Sequence, residues 1–389
     1  MKKISIIFIL FAFHLEPYCL NSLLDAKKDR NLENKWINSS VQLNSYNNES
    51  FNTEKFIDKA IHKYQKKIAK NAFITSAHYI ERSKIDGEYQ MFTEGLGYLV
   101  SLGYNYIIPR DNFSYLLTNM KKSDRKKEWI ALMKHLYNNT PVTKQTDFQP
   151  GYNSLFSCFR RFEIKGPLSK KCELEYKFDK QKKIIKGERT IYKINFSPKK
   201  IESDEQRYYE GIFYVDSKTY QIRRIELQIA PFYSEAFKKW INKAKLNIDY
   251  KINNNQYFIS MLKSYYKKEN VEYWVKFKTL DDKIHSLNLS KKDKNAFHVN
   301  DINPMVKYIK EEWNTYNLTK VKDINDIKMD LGNNNSLEKQ YVKNAGKPFY
   351  ISHFPGYKKF DKKMNNIYKY VESKIKEYEE KYNFIPKKD

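Results

Sequence analysis

What this sequence lacks narrows its function before anything it contains. Histidine is sparse and scattered, at His14, His62, His78, His135, His285, His298 and His353. No two stand three or four apart, so no helical metal-binding pair is present. There is no G-x-S-x-G elbow and no Walker loop. Gly95-Leu96-Gly97 lacks the third glycine of a dinucleotide fingerprint and falls in a predicted strand. No cofactor, metal site or catalytic residue is therefore expected. Cysteine is limited to Cys19, Cys158 and Cys172, too few for a structural zinc site. Eleven glycines and eleven prolines are too few for a low-complexity chain. No repeat of fixed period occurs, which argues against a solenoid. Beyond the first residues no segment offers 18 consecutive apolar side chains, so no transmembrane helix is expected.

Arginine is also scarce. The formal charge of +26 comes from 72 Lys and Arg against 46 Asp and Glu, and only ten of those cations are Arg. Lysine spread through every segment reads as solvated surface. Arg, the side chain that forks onto phosphates and guanine edges, is the one in short supply, so nucleic acid is not the expected partner. An electrostatic binder of an anionic polymer is kept as an alternative.

What is abundant is aromatic. Thirty-two tyrosines and an aromatic content of 16% suit half-buried sheet surfaces. Arg207–Leu227 sets out the pattern. Tyr209, Gly211, Phe213 and Val215 alternate with Glu210, Ile212 and Tyr214. After a polar Asp216-Ser217-Lys218 turn, Tyr220, Ile222 and Ile225 follow among Gln221, Arg223, Arg224 and Glu226. Successive strand side chains point to opposite faces, so this is a predicted antiparallel hairpin. Further strands are predicted over 71–83, 88–101, 172–178, 189–197, 246–252, 257–266 and 271–279. Turns are expected at Asp86-Gly87 and Asn253-Asn254-Asn255. Helices are predicted from Thr53, as cap, to Lys70, from Ser123 to about Asn138, and over Glu235–Lys245 with Ser234 as cap. Residues 104–120 read as irregular and 138–155 as a loop.

The chain divides into four parts. Met1–Leu15 has a charged start and an apolar run of signal-peptide length, giving a leader of residues 1–19. Cys19 is a candidate for lipidation, although bulky Tyr18 precedes it. Residues 20–52 form a polar tether, residues 53–345 a sheet-dominated α+β domain, and residues 346–389 a polar helical tail. In the tail Met364, Tyr368, Val371, Ile375, Tyr378 and Tyr382 repeat at heptad spacing. Export implies an oxidising compartment, in which Cys158 and Cys172 are a candidate bridge, while two buried thiols remain the alternative. Glu81 and Glu94 stand among apolar residues of the first hairpin. Buried there, each needs a partner such as Arg82 or Tyr98, in a structural rather than catalytic role.

Several motifs carry a resemblance. His78-Tyr79-Ile80-Glu81-Arg82-Ser83 with Asp86-Gly87-Glu88-Tyr89 and Thr93-Glu94-Gly95 is similar to an "F-Y-R-E-S … N-G-K-Y … E-A" stretch. Tyr192–Lys200 is similar to "I-x-F-x-P-K-K", Tyr209–Ile222 to "G-x-I-Y-I-D … Y-A-I", and Trp313–Asn317 to "W-x-x-Y-N". The chain in this way resembles Bacteroidetes envelope proteins labelled carboxypeptidase-like regulatory domain-containing. The small β-sandwich that gives that family its label has no room in residues 20–52. The resemblance implies a large curved antiparallel sheet partly covered by short helices, in the manner of periplasmic lipoprotein-carrier half-barrels. It also implies a periplasmic or outer-membrane-associated location. A sheet of this size must cover one face. Short helices cover only part of it, which leaves an expected cleft lined by Phe213, Tyr220, Ile222 and Tyr273 for a lipid-like ligand or another envelope protein. A hydrolase with an unrecognised site is the alternative from a different class.

Overall fold

The computed structural model describes residues 51–345, apart from segments 105–112, 139–151, 202–207, 235–238, 287–306 and 316–320 and breaks of one to three residues. The leader with Cys19, nearly all of the tether and the 346–389 tail lie outside the described residues.

The chain opens with α1 (Thr53–Lys67). Its cap is Asn52, one residue before the expected Thr53, whose side chain accepts from the Lys55 amide at 2.8 Å. Its stripe Phe56, Ile57, Ala60 and Tyr64 is buried at helical spacing. β1 (Phe73–Ile85) and β2 (Glu88–Ser101) follow as a hairpin. Asp86 (φ 54°) and Gly87 (φ 82°) at its turn are both left-handed, as a two-residue primed turn requires. Then come β3 (Phe113–Lys122), α2 (Lys127–Asn138) and α3 (Tyr152–Lys165). Seven strands continue the chain: β4 (Tyr176–Lys186), β5 (Arg189–Pro198), β6 (Tyr209–Asp216), β7 (Ile222–Ile229), the short β8 (Phe232–Ser234) and β9 (Lys239–Ile241), and β10 (Ala244–Asn253). β11 (Gln256–Lys268), β12 (Val271–Thr279), β13 (His285–Ser286), α4 (Lys310–Thr315), α5 (Ile324–Gly332) and α6 (Leu337–Asn344) complete it.

Three expectations are corrected here. The segment 104–120, read as irregular, contains most of β3. The loop and untyped stretch after it contain α3, whose Leu155, Phe156, Phe159 and Phe162 are buried along one side. The helix expected over Glu235–Lys245 is not formed in its described residues: Lys239–Ile241 pairs with Phe232–Ser234 as a small hairpin, and Ala244 already begins β10.

Eleven strands make one sheet in the order β3-β2-β1-β12-β11-β10-β7-β6-β5-β4, with β13 beside β1, and every pairing between these strands is antiparallel. β3 and β4 are its two ends, so the sheet is open. The fold class expected from sequence, a large antiparallel sheet with a few short helices, is therefore the one observed. Register shifts at Ser83/Lys84, Leu96/Gly97, Lys180/Lys182, Tyr214/Val215 and Asp249/Tyr250 add local bends to the strand twist.

Alternation decides the two faces. Tyr79, Phe277 and Leu262 lie in one row across β1, β12 and β11, and Ile248, Ile225, Phe213 and Ile194 continue it to β5. All are buried in one core, and this is the inner face. α1 rests on it over β4, β7 and β11, α3 over β10–β12, and α2 near β2. α2 and α3 lie between β3 and β4 in sequence, so the chain crosses this face on its way from one sheet edge to the other. On the opposite, outer face, α5 and α6 cover β2 and β3 around a smaller cluster of Tyr89, Phe92, Ile327, Leu337 and Tyr341.

Candidate functional site

The inner face holds two buried polar groups within an otherwise aromatic and aliphatic interior. The first ties the helical cover to the sheet. Arg160 and Glu163 stand one turn apart on α3, and Glu163 accepts the hydroxyl of Tyr64 from α1. The Tyr64 hydroxyl also lies 3.1 Å from that of Tyr250 on β10. Arg160 Nη1 donates to the Tyr104 carbonyl at 2.7 Å and reaches Glu163 at 3.5 Å. Burial pushes the Glu163 carboxyl up to about 7, against the pull of Tyr64 and Arg160. Burial likewise raises the hydroxyls of Tyr64, Tyr104 and Tyr250 well above the usual tyrosine range.

The second group lies under α2. Glu81 accepts hydroxyls from Tyr79 at 2.8 Å and Tyr273 at 2.7 Å, and Trp129 of α2 stacks on the Tyr273 ring at 6.0 Å and 11°. Burial raises the Glu81 carboxyl, with the Arg125 charge and the two hydroxyls pulling the other way. Beside this group the character of the inner face changes. Elsewhere it presents Phe, Tyr, Ile and Leu, but here Thr75, Ala77, Thr93, Gly95, Gly97 and Thr279 form a patch of small residues across β1, β2 and β12. Thr75 is 1% exposed and Ser83 0% exposed, and neither hydroxyl has a hydrogen-bond partner among the described residues. A buried hydroxyl without a partner costs about 1–3 kcal/mol, so two on one strand face need an explanation.

The residues expected to line a cleft occupy a different setting. Phe213 is fully buried, and its ring stacks on Phe196 at 4.5 Å. Ile222 is fully buried, and its amide donates to the Tyr257 hydroxyl at 3.1 Å. Tyr273 is committed to Glu81 and Trp129. Tyr220 is half-buried in a left-handed conformation (φ 55°), its ring 5.1 Å from that of Phe56. At these four positions the expected cleft is filled by the chain's own side chains, because α1 and α2 bring aromatic rings down onto the sheet and α3 packs Phe162 against Phe196.

The expected partners of the two hairpin carboxylates are also revised. Arg82 points to the outer face and pairs with Asp323, the residue just before α5. Glu94, on that face too, accepts from His78 at 2.9 Å and Lys121 at 3.1 Å. Burial alone would raise the Glu94 carboxyl, but His78 and Lys121 more than offset it and leave it below the ordinary value. Glu94 is thus a buried structural anion held beneath the outer helices.

Cys158 and Cys172 are not bonded to each other. Cys172 Sγ donates toward the Lys165 and Leu174 carbonyls at 3.5 and 3.3 Å, which fixes it at the C-terminal end of α3. Cys158 stands two turns earlier on that helix, about 10 Å along its axis. A bridge needs Cα atoms within about 7 Å.

The Arg160–Glu163 pair had no signal in the sequence once α3 was missed, whereas Gly95 and Gly97 were noticed only as a failed dinucleotide motif. Among the described residues no group of three His, Cys, Asp or Glu side chains is placed to hold a metal ion, and no helix is long and apolar enough to cross a membrane.

No protein-family model matches the chain. No curated protein matches it either. Solved structures do show similarity. One is an outer membrane lipoprotein-sorting protein domain from Vibrio parahaemolyticus, at 14% identity and TM-score 0.29 over 63% of this chain and 97% of that one. A DUF1329 family protein from Desulfovibrio piger matches at 11% identity and TM-score 0.29 over 61% and 95%. A LolA superfamily protein from Nitrosomonas europaea matches at 8% identity and TM-score 0.24 over 62% and 97%.

Proposed function

We propose that this is an exported, non-catalytic envelope protein that binds the apolar part of an amphiphilic partner between the inner face of its sheet and the helical cover. One observation carries the reading: the small-residue floor around Ala77, Gly95 and Gly97, bordered by the Thr75 hydroxyl, which like that of Ser83 farther along β1 has no hydrogen-bond partner among the described residues. A closed core fills such a floor with a large side chain and pairs its hydroxyls. Here the floor sits inside a face that is otherwise densely aromatic. A partner with an apolar chain and a few hydrogen-bonding atoms supplies what both features lack. The signal-like Met1–Leu15 supports export, and lipidation at Cys19 would anchor the protein to a membrane surface.

The test begins with protein purified from its native envelope. Solvent extraction and mass spectrometry should find a co-purifying lipid-like molecule, and fatty acids should displace a fluorescent apolar probe. Ala77→Leu raises the floor, and should weaken probe binding at least tenfold while the circular dichroism spectrum is kept. No extracted molecule together with no displacement from the folded wild-type protein ends the proposal.

A further inference from the structure

α1 and α3 are joined to each other and to the sheet through one carboxyl. Glu163 of α3 accepts the Tyr64 hydroxyl of α1, and that hydroxyl meets Tyr250 of β10 at 3.1 Å. Arg160 reaches the same carboxyl at 3.5 Å and holds the Tyr104 carbonyl at 2.7 Å. Behind the joint, the Tyr257 ring of β11 lies 5.1 Å from that of Tyr64 and 5.9 Å from that of Tyr250. Two further polar ties of α1, Lys63 to the Thr219 carbonyl at 2.6 Å and Gln65 to the Leu168 carbonyl at 2.9 Å, do not involve Glu163. Among the described residues Glu163 thus faces Tyr64 from α1, Arg160 from its own helix, Tyr104 from the chain after β2, and Tyr250 from β10. Arg160 keeps its charge throughout, and burial keeps the three hydroxyls protonated well past neutrality. Glu163, at about 7, is the group in this joint whose charge changes near neutral pH. His62, two residues before Tyr64, is exposed. The joint also lies on the way to the floor. Phe156 of α3 stands edge-on to Phe277 of β12 at 4.9 Å, and register runs from Phe277 through Tyr79 to Gly95. Lifting α3 uncovers the sheet beside the floor.

We propose that Glu163 is a pH-dependent latch on the inner face: loss of its proton loosens α1 and α3, so that an amphiphile enters and leaves faster above neutral pH than below it. The exchange of the amphiphile rests on the inner-face binding proposed above, whereas the loosening itself needs no ligand. With its proton on, the closed joint holds a neutral carboxyl that accepts the Tyr64 hydroxyl at little cost of desolvation. With the proton off, it holds a buried anion, and its cation Arg160 is shared with the Tyr104 carbonyl. Opening hydrates that anion. Between the ordinary carboxyl value of 4.5 and about 7 the closed joint therefore keeps a proton that the open joint releases, and the opening equilibrium rises with pH. From pH 5.5 to 7.5 those two values give a rise of about twentyfold.

The experiment is amide hydrogen exchange on the full chain without ligand at about pH 5.5 and 7.5, with rates corrected for the intrinsic pH dependence of exchange. Protection of α1 and α3 amides should fall about twentyfold relative to β1 and β12 amides in the wild type, and by threefold at most in Glu163→Gln. His62→Gln should behave as the wild type. Tyr64→Phe keeps the ring but removes a hydroxyl that favours the anion, so its fall should continue above pH 7.5, where the wild type levels off. That variant keeps the test open if Glu163→Gln does not fold. Release of a non-ionisable apolar fluorescent probe, followed by stopped flow, should speed up in parallel in the wild type and stay level in Glu163→Gln. Equal protection at the two pH values, the same fall in Glu163→Gln or His62→Gln carrying the effect would each overturn the latch. A fall in protection with no probe bound at either pH would overturn inner-face binding, and the exchange that rests on it, while upholding the loosening.

Discussion

Replacing Glu163 with Gln should make the protein more stable above neutral pH, and the size of the gain can be worked out. The Glu163 side chain is only 5% exposed and lies between Tyr64, Arg160 and the Tyr250 strand. Its carboxyl titrates at about 7 in the folded chain, against 4.5 ordinarily. A group that holds its proton more tightly when folded contributes no penalty below the unfolded value. It loses stability as pH rises from there, and the full penalty is present above the folded value. At about 1.4 kcal/mol for each tenfold difference in proton affinity, that penalty is about 3 kcal/mol. Glutamine keeps an oxygen that accepts from the Tyr64 hydroxyl and removes the titration, at the cost of a weaker partner for Arg160. Denaturant unfolding of both proteins between about pH 5 and 8 is the assay. Glu163→Gln should lag or equal the wild type at the acid end and gain on it by about 3 kcal/mol across the interval. Parallel stability curves would refute the reasoning, because burial would then not be what governs this carboxyl.

Asn119 is fully buried and makes four hydrogen bonds to α4 and the residue before it: to the Ile309 carbonyl and amide, Glu312 and the Trp313 indole, at 2.8 to 3.1 Å. Asn119→Ala should cost about 2–4 kcal/mol and expose the 309–344 region to limited proteolysis first. A Cβ on Gly211 would stand 2.0 Å from the Glu226 carbonyl oxygen and 3.1 Å from the Phe196 ring, so Gly211→Ala should destabilise the β6–β7 pair by about 3 kcal/mol or more, read as a lowered denaturation midpoint. Thiol titration of the unreduced, unfolded protein should count Cys158 and Cys172 as two reactive thiols, while none reacting would restore the bridge.

Legibility in the sequence followed periodicity. β2 and β12 were readable to the residue, because Asp86-Gly87 marks one boundary and alternation over Val271–Thr279 is unbroken. α1 was readable from its Phe56, Ile57, Ala60 and Tyr64 stripe. β3 was not, since Tyr115-Leu116-Leu117-Thr118-Asn119-Met120 does not alternate, and its pairing shifts register at Leu96/Gly97. α3 was hidden because Pro141, Pro150 and Gly151 made 138–155 read as a loop, which covers the helix's first turn. Around Ser234–Lys245 a helical apolar spacing lost to sheet pairing on both sides, a tertiary effect that no window of sequence contains. The site was less legible than the fold for a related reason. Glu163, Tyr64 and Tyr250 come from three elements far apart in the chain, and the floor of Ala77, Gly95 and Gly97 is visible only after register puts Gly95 opposite Tyr79 and Gly97 opposite Ala77.

The two faces of the sheet are held by different chemistry, and this bears on which one can open. Outside, α4–α6 are fastened by many direct polar contacts: Arg82 to Asp323, Asn119 to Trp313, Gln340 to the Leu331 and Asn335 carbonyls, and Asn344 to the Lys122 carbonyl and Asp124. Separating them would strand several buried donors at once. Inside, α1 and α3 lie on aromatic rings, and their shared polar contact contains a carboxyl that burial disfavours in its charged form at neutral pH. Lifting either helix hydrates Glu163 and recovers part of that penalty, which lowers the cost of opening the inner face compared with the outer one. The strand ladder beneath, whose backbone bonds are unaffected by Glu163, keeps its register while the cover moves.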